Sequence, residues 1–323
     1  MVDIDVLISE CPENFVIQNA LIKCAEVLDE HNKVMCPVSG GADSDVMLDM
    51  ILRCGGKEKT TFVFFDTGLE YTATKEHLDY LEAKYNIKIY RERPEKSIPT
   101  SCNQYGVPFW SKYASCMMYR LQLHDFQWED EPFDILIKKY PRCKTALVWW
   151  CNVQKGNTTQ YTINRNPYLK EFIIQNPPRF RISDKCCTYA KKSPSHRFEK
   201  SGNFDLVCIG IRQSEGGVRA TAYKNCFSQT DNDIDRFRPI FWFRDSDKKC
   251  YCDHYNVQHS RCYCEYGLQR TGCFGCPFGK RFENELEVIE KYEPRLVKAA
   301  NAIFGESYKY MREYIKYRNA MKG

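Results

Sequence analysis

Six residues, Ser39-Gly40-Gly41-Ala42-Asp43-Ser44, constrain this chain more than any others. They follow residues 33–38, a short apolar run that reads as a buried strand. They open the run 45–52, where Val46, Leu48, Met50, Ile51 and Leu52 suit a largely buried helix. A strand, a glycine turn and a helix N-terminus in that order make an anion site, because free backbone N–H groups and the helix dipole both favour negative charge there. Paired glycines let the main chain approach a phosphate, and Ser39 and Ser44 add hydroxyl donors. The Walker-type lysine is absent, so the cradle differs from that of P-loop NTPases. Asp43 inside the loop suits a magnesium ion or a water. The plain alternative is a solvated Ser/Gly/Asp turn.

Further along, Phe62–Phe65 ends a second apolar strand at Asp66-Thr67-Gly68, and residues 87–90 read as a third strand. Helices are expected at 14–31, 44–54 and 71–85. Strands and helices alternating at this spacing predict an α/β fold, a mostly parallel sheet with helices on both faces. In such sheets ligands bind beyond the carboxyl ends of the strands, which is where both motifs fall. A fourth strand is expected at 206–211 with Arg212 at its end, and an extended piece at Arg238–Trp242. Residues 109–140 read as largely helical, and 141–180, rich in aromatic, Asn and Pro residues, as an inserted subdomain or substrate loop. From about 282 the chain is charged and helical. The domain reading is a nucleotide-binding α/β domain over 1–245, with the insertion at 141–180, and a Cys-rich segment with C-terminal helices over 246–323.

The net charge of +5 over 323 residues fits an anionic substrate or nucleic acid without demanding either. The start reads as no signal peptide, and the most apolar run, 146–151, is too short to span a bilayer, so a cytoplasmic protein without membrane attachment is expected. Eighteen cysteines in that setting argue for reduced thiols, some of them metal ligands. Cys186-Cys187 and the later Cys273-Phe274-Gly275-Cys276 offer four thiolates, a set that suits a 4Fe-4S cluster or a tetrahedral zinc. Cys262 and Cys264 are alternates for one of the upstream pair, whereas Cys36, Cys54 and Cys208 read as small core residues.

Taken in order, these pieces resemble the adenylyl-sulfate and phosphoadenylyl-sulfate (PAPS) reductase family of the PP-loop ATP pyrophosphatase superfamily. Ser39–Ser44 is similar to its SGGxDS loop, Phe65–Glu70 to its DTG strand end and Cys186–Pro194 to its CCxxxKxxP segment. Gly210–Glu215 resembles its GxR…E segment, Arg238–Trp242 a P-L/I-x-x-W stretch, and Tyr266–Cys276 its final GCxxC element. The resemblance implies a nucleotide site of Ser39, Gly40, Gly41, Asp43, Ser44, Asp66, Thr67, Gly68 and Arg212. It implies ATP or an adenylyl sulfate as nucleotide, magnesium at Asp43, and a 4Fe-4S cluster on Cys186, Cys187, Cys273 and Cys276. Asp43, Lys191 and Arg212 take the catalytic roles, with Arg219 a second anion-binding arginine. One departure stands out: residues 277–323 contain no cysteine to act as the reductases' tail nucleophile, unless Cys262 or Cys264 substitutes.

The expected activity is therefore ATP-dependent, adenylating sulfur transfer to tRNA, DNA or a small molecule, served by a sulfur-donor or electron-donor protein. Trp149 and Trp150 read equally as stacking or packing aromatics. The alternatives are a reductase releasing sulfite from PAPS or adenylyl sulfate, and a non-catalytic nucleotide-sensing regulator.

Overall fold

The computed structural model describes residues 2–154, 162–216, 222–230, 234–278 and 282–323. The chain forms two compact units, each assembled from two stretches: residues 1–94 with 191–273, and 95–190 with 274–323. Cysteine content suggested a boundary at 245/246, but the first unit continues to Cys273.

The first unit is an α/β sheet. Its strands are β1 (Val34–Pro37), β2 (Thr60–Phe65), β3 (Ile89–Glu92), β4 (Leu206–Cys208), β5 (Phe227–Ser228) and β6 (Asp235–Phe237). They lie in the order β3-β2-β1-β4-β6-β5, parallel throughout except that β5 runs antiparallel to β6. Val34, Met35 and Cys36 of β1 have no exposed surface, as a central strand covered on both faces requires. Helices Phe15–Glu30, Ala42–Arg53 and Thr72–Tyr85 follow the expected positions closely. Asn14 caps the first of these by accepting from the Val16 and Ile17 N–H groups. Cys36, Cys54 and Cys208 are buried in the core, as their plain reading required.

One expectation needs correction here. Arg238–Trp242 is a turn; the strand is the preceding Asp235–Phe237, paired in parallel with β4.

The second unit is helical. Ile98–Tyr105, Lys112–Gln122, Phe133–Lys139, Lys144–Trp150 and Leu169–Gln175 are joined by Phe282–Tyr292 and the long Arg295–Ala320. The amphipathic last helix lays Tyr310 and Tyr314 against Phe109 and Phe172. Within 141–180 the described residues form short helices of this unit and the turns that join them; residues 155–161 lie outside the described residues. Trp149 and Trp150 are fully buried, and the Trp150 indole N–H donates to the Glu129 carbonyl at 2.8 Å. Both are packing aromatics and not a stacking platform for nucleic acid. Among the described residues no helix is long and apolar enough to cross a membrane.

Candidate nucleotide and thiol sites

The loop between β1 and the Ala42–Arg53 helix turns at Gly40, whose φ of +67° is the left-handed region that glycine alone enters without strain. Ser44 organises the turn from inside. Its hydroxyl oxygen accepts from Ser39 N–H at 3.2 Å, Ser39 Oγ at 3.1 Å and Gly41 N–H at 3.1 Å, and donates to the Gly41 carbonyl at 2.7 Å. This is one half of a capping box, the third helical residue reaching back to the cap N–H. The sequence cast Ser44 as a phosphate donor; in the structure its buried hydroxyl shapes the loop. Tyr263, which the sequence gave no reason to single out, supports the same turn. Its hydroxyl accepts from Thr271 N–H and lies 3.3 Å from Thr271 Oγ1.

Asp43 faces cations. Its Oδ1 lies 2.9 Å from Lys248 Nζ and 3.0 Å from Arg212 Nε. Arg212 also donates through Nη1 to Asp245 at 2.8 Å and to Ser214 Oγ at 3.2 Å. Two cations already balance the Asp43 carboxylate, so this arrangement does not fit a magnesium ion on Asp43, and positive charge at the loop comes from side chains instead. Lys248 was not foreseen, because its distance from Asp43 in sequence hides the pairing. Arg219 lies outside the described residues.

Beyond β2, residues 66–70 form a braced turn. Glu70, half-hidden in the sequence as the last residue of its motif, accepts from Thr67 N–H at 3.1 Å and from Thr67 Oγ1 at 2.7 Å. Asp66 accepts from Gly68 N–H at 2.8 Å. Thr67 is fully buried and braces the turn. A cavity of about 110 Å³ opens between the two motifs, lined by Ser39, Glu70, Thr74, Lys191, Thr271 and Gly272 among others. That volume suits one phosphate or sulfate group. Cys273 lies at this turn too, bridged to Glu70 and with its Sγ 3.4 Å from Thr67 Oγ1.

Burial pushes the Glu70 carboxyl up to about 7, helped by the hydrogen-bonded Asp66 carboxyl and opposed by Thr67 and Lys191. Asp66 moves the other way: burial works against its charge, but hydrogen bonds from Glu70 and Gly68 outweigh it. A carboxyl held above its ordinary 4.5 stabilises the folded state below that pH and loses the contribution as pH rises through about 7. Asp66, held below its ordinary 3.8, acts only on the acid side of that window. Thermal stability is therefore expected to fall between pH 4.5 and about 7, and this slope should be flatter in Glu70→Gln. Melting temperatures across the window decide it; parallel curves for the two proteins would sink the assignment.

The second unit gathers thiols. The short Lys185–Cys187 helix packs on Ile98–Tyr105. Cys186 is buried, in hydrogen-bond contact with Cys102 and Cys187, and feels the charge of Cys276. The Cys102 contact, with burial, holds the Cys186 thiol far above its ordinary range, Cys187 pulling against them. Gly275 lets the CxxC turn form: its φ is +63°, and a Cβ there would meet the Tyr308 hydroxyl at 2.6 Å. Cys102 was missed in the sequence, since nothing about a lone cysteine 84 residues upstream marks it. No disulfide bond is present among the described residues, and no three His, Cys, Asp or Glu side chains among them converge closely enough to hold a single metal ion. The donor chemistry of Cys102, Cys186, Cys187 and Cys276 nonetheless fits a thiolate-ligated group such as an iron–sulfur cluster. Of the alternates, Cys262 is fully buried beside Thr74 and Cys264 is exposed, both in the first unit. Buried Cys262 cannot meet a substrate as a nucleophile.

Residues 33–140 match the phosphoadenosine phosphosulfate reductase domain. An uncharacterized protein of Methanocaldococcus jannaschii is 33% identical over 193 residues, 57% of this chain and 37% of that protein. The chain thus spans little more than a third of the length of the curated relative it matches. Among solved structures, a phosphoadenylyl-sulfate reductase of Candida auris in complex with phosphate aligns at TM-score 0.45 and 14% identity, over 84% of this chain and 94% of that one. The U34-tRNA thiolase of Methanococcus maripaludis with its [4Fe-4S] cluster aligns at 0.39 and 14%, over 96% and 81%. An NH3-dependent NAD synthetase of Campylobacter jejuni aligns at 0.38 and 13%, over 97% and 95%. These structural likenesses are too distant to carry residue roles across.

Proposed function

From the match of residues 33–140 to the phosphoadenosine phosphosulfate reductase domain, we propose that the chain binds ATP at Ser39–Ser44 and uses it for adenylating sulfur transfer. The observation that carries this reading is the phosphate-sized cavity where Ser39 of the loop faces Lys191 and Glu70. Arg212 and Lys248 beside Asp43 place guanidinium and ammonium donors at the same loop, groups that suit phosphate oxygens.

In this reading Ser39 and the turn at Gly40 and Gly41 seat the phosphates, while Asp66 and Gly68 border the nucleoside. Lys191 neutralises the charge that develops as the bond between the α- and β-phosphates breaks. The acceptor oxygen takes the adenylyl group and pyrophosphate leaves; a sulfur nucleophile then displaces AMP. The acceptor is a tRNA, a DNA or a small molecule. Cys102, Cys186, Cys187 and Cys276 are the ligands proposed for a 4Fe-4S cluster, which, with each iron held by a thiolate, would supply one-electron transfer.

Two measurements test this. Pyrophosphate release from ATP, lost in Lys191→Ala, is the expected result; sulfite release from PAPS would establish the reductase reading, and nucleotide binding without turnover of either would establish a sensor. Anaerobic purification with iron and sulfide analysis tests the thiols. Roughly four irons per chain are expected, lost in Cys187→Ser. Loss of iron in Cys102→Ser would identify Cys102 as the fourth ligand, and iron retained there would exclude it.

A further inference from the structure

Under the loop helix lies a polar group that the nucleotide site does not use. Asp45, in the first turn of Ala42–Arg53, is wholly buried. Its Oδ2 lies 3.0 Å from His259 Nδ1 in an aligned hydrogen bond. His77 Nε2 is as close, at 3.0 Å, but is not aligned as a hydrogen bond, and Asp45 Oδ1 accepts none among the described residues. The far nitrogen of the His259 ring, Nε2, lies 3.5 Å from Cys252 Sγ. Cys252 and His259 both line a cavity of about 620 Å³, together with Lys248 and Lys249.

A carboxylate only accepts, so Asp45 fixes the His259 proton on Nδ1 and leaves Nε2 as an acceptor for the thiol. Thiol, imidazole and carboxylate then stand in the order that activates a nucleophile, with the thiol on a cavity rather than in the core. A purely structural role would need none of that order, nor a carboxylate with a buried oxygen left over.

We propose that Cys252 is a nucleophilic thiol that accepts sulfane sulfur from a persulfide, with His259 as its base and Asp45 as the positioning carboxylate. His259 Nε2 takes the Cys252 S–H proton, and the thiolate attacks the outer sulfur of R–S–SH. The donor's S–S bond breaks, a new S–S bond forms on Cys252, and the leaving R–S⁻ takes the proton from His259. The sum is Cys252–SH + R–S–SH → Cys252–S–SH + R–SH, with no net oxidation. Burial holds the Cys252 thiol up at about 12, Lys248 opposing and Asp45, Asp253 and Asp49 adding to it, so the resting group is the thiol and a base is required. The inference rests on the sulfur-transfer reading for its substrate, but not for the reactivity of the thiol.

The test uses the full chain, reduced and anaerobic, with alkylation by iodoacetamide read at each cysteine by mass spectrometry. Cys252 is expected to react at least tenfold faster in the wild type than in His259→Gln, and several-fold faster than in Asp45→Asn, both checked for fold by circular dichroism. Added imidazole should restore the rate in His259→Gly, a rescue that a merely structural histidine would not show. Incubation with glutathione persulfide should then add one sulfur to Cys252 in the wild type. Equal alkylation rates in wild type and His259→Gln overturn the triad. Fast alkylation without sulfur uptake overturns the persulfide assignment, and stoichiometric zinc lost in Cys252→Ser would make the group a metal site instead. None of these readouts involves ATP, so a failure of pyrophosphate release sinks the nucleotide reading separately.

Discussion

Gly40→Ala is expected to weaken ATP binding by at least about tenfold while leaving the fold intact. The left-handed φ of +67° costs a non-glycine residue about 1 kcal/mol. The new Cβ would also stand 2.8 Å from Thr74 Cγ2, and Thr74 is buried with its hydroxyl against Cys262 Sγ, so it has little room to give. Strain and overpacking together reach roughly 2–4 kcal/mol. The loop relieves that by changing the turn which presents Ser39, and about 1.4 kcal/mol of it suffices for a tenfold loss. Gly68→Ala separates the two causes. Its φ is +80°, yet nothing lies within 4 Å of the added Cβ, so only the backbone strain remains and the loss should be smaller. Thr74→Ser in the Gly40→Ala background removes the clashing methyl and should recover part of the affinity. Calorimetric titration with a non-hydrolysable ATP analogue reads all three; wild-type affinity in Gly40→Ala would mean the loop does not hold the nucleotide.

The largest expected effect on stability comes from Asp49. It is buried in the loop helix and accepts from Arg53 Nε at 2.5 Å, Tyr85 OH at 2.8 Å and Tyr251 OH at 2.8 Å. One carboxylate thereby ties Ala42–Arg53 to Thr72–Tyr85 and to Asp245–Tyr255. Asp49→Ala leaves the Tyr251 hydroxyl buried without its acceptor and strands the half-buried guanidinium, a loss of about 3 kcal/mol by the usual cost of breaking a buried pair. For a unit of this size that is roughly 6–12 °C in the melting temperature of the sheet. Tyr251→Phe removes one hydrogen bond only and should cost about 1 kcal/mol. If Asp49→Ala melts within a degree or two of the wild type, the carboxylate is not the tie its contacts describe.

The parts of this molecule legible in its sequence are those where local pattern and tertiary need coincide. Val34–Pro37, the turn at Gly40 and the apolar Ala42–Arg53 helix are adjacent in the chain, so the phosphate motif could be read and sited at a strand end. Strands β4 and β6 are only three residues long and exist through pairing, β4 with β1 and β6 with β4, which explains the misplacement of the last strand onto Arg238–Trp242. Ser44 illustrates a different limit. A hydroxyl in a phosphate motif reads as a ligand donor, and only the backbone trace reveals that it is consumed by Ser39 and Gly41. Lys248 with Asp43, Cys102 with Cys186 and His259 with Asp45 are long-range encounters, and such pairings leave no spacing signature.

The order in which the sheet is threaded bears on how the protein is made. β1 pairs with β2 on one side as soon as both are synthesised, but its other neighbour, β4, comes roughly 170 residues later, after the whole of residues 95–190. At ordinary elongation rates that is on the order of ten to thirty seconds on the ribosome. Throughout that interval a fully apolar central strand presents an unpaired edge, the geometry most prone to capture by another nascent chain. The nascent protein should therefore depend on chaperones that bind such edges, and its yield should rise when translation downstream of residue 94 is fast.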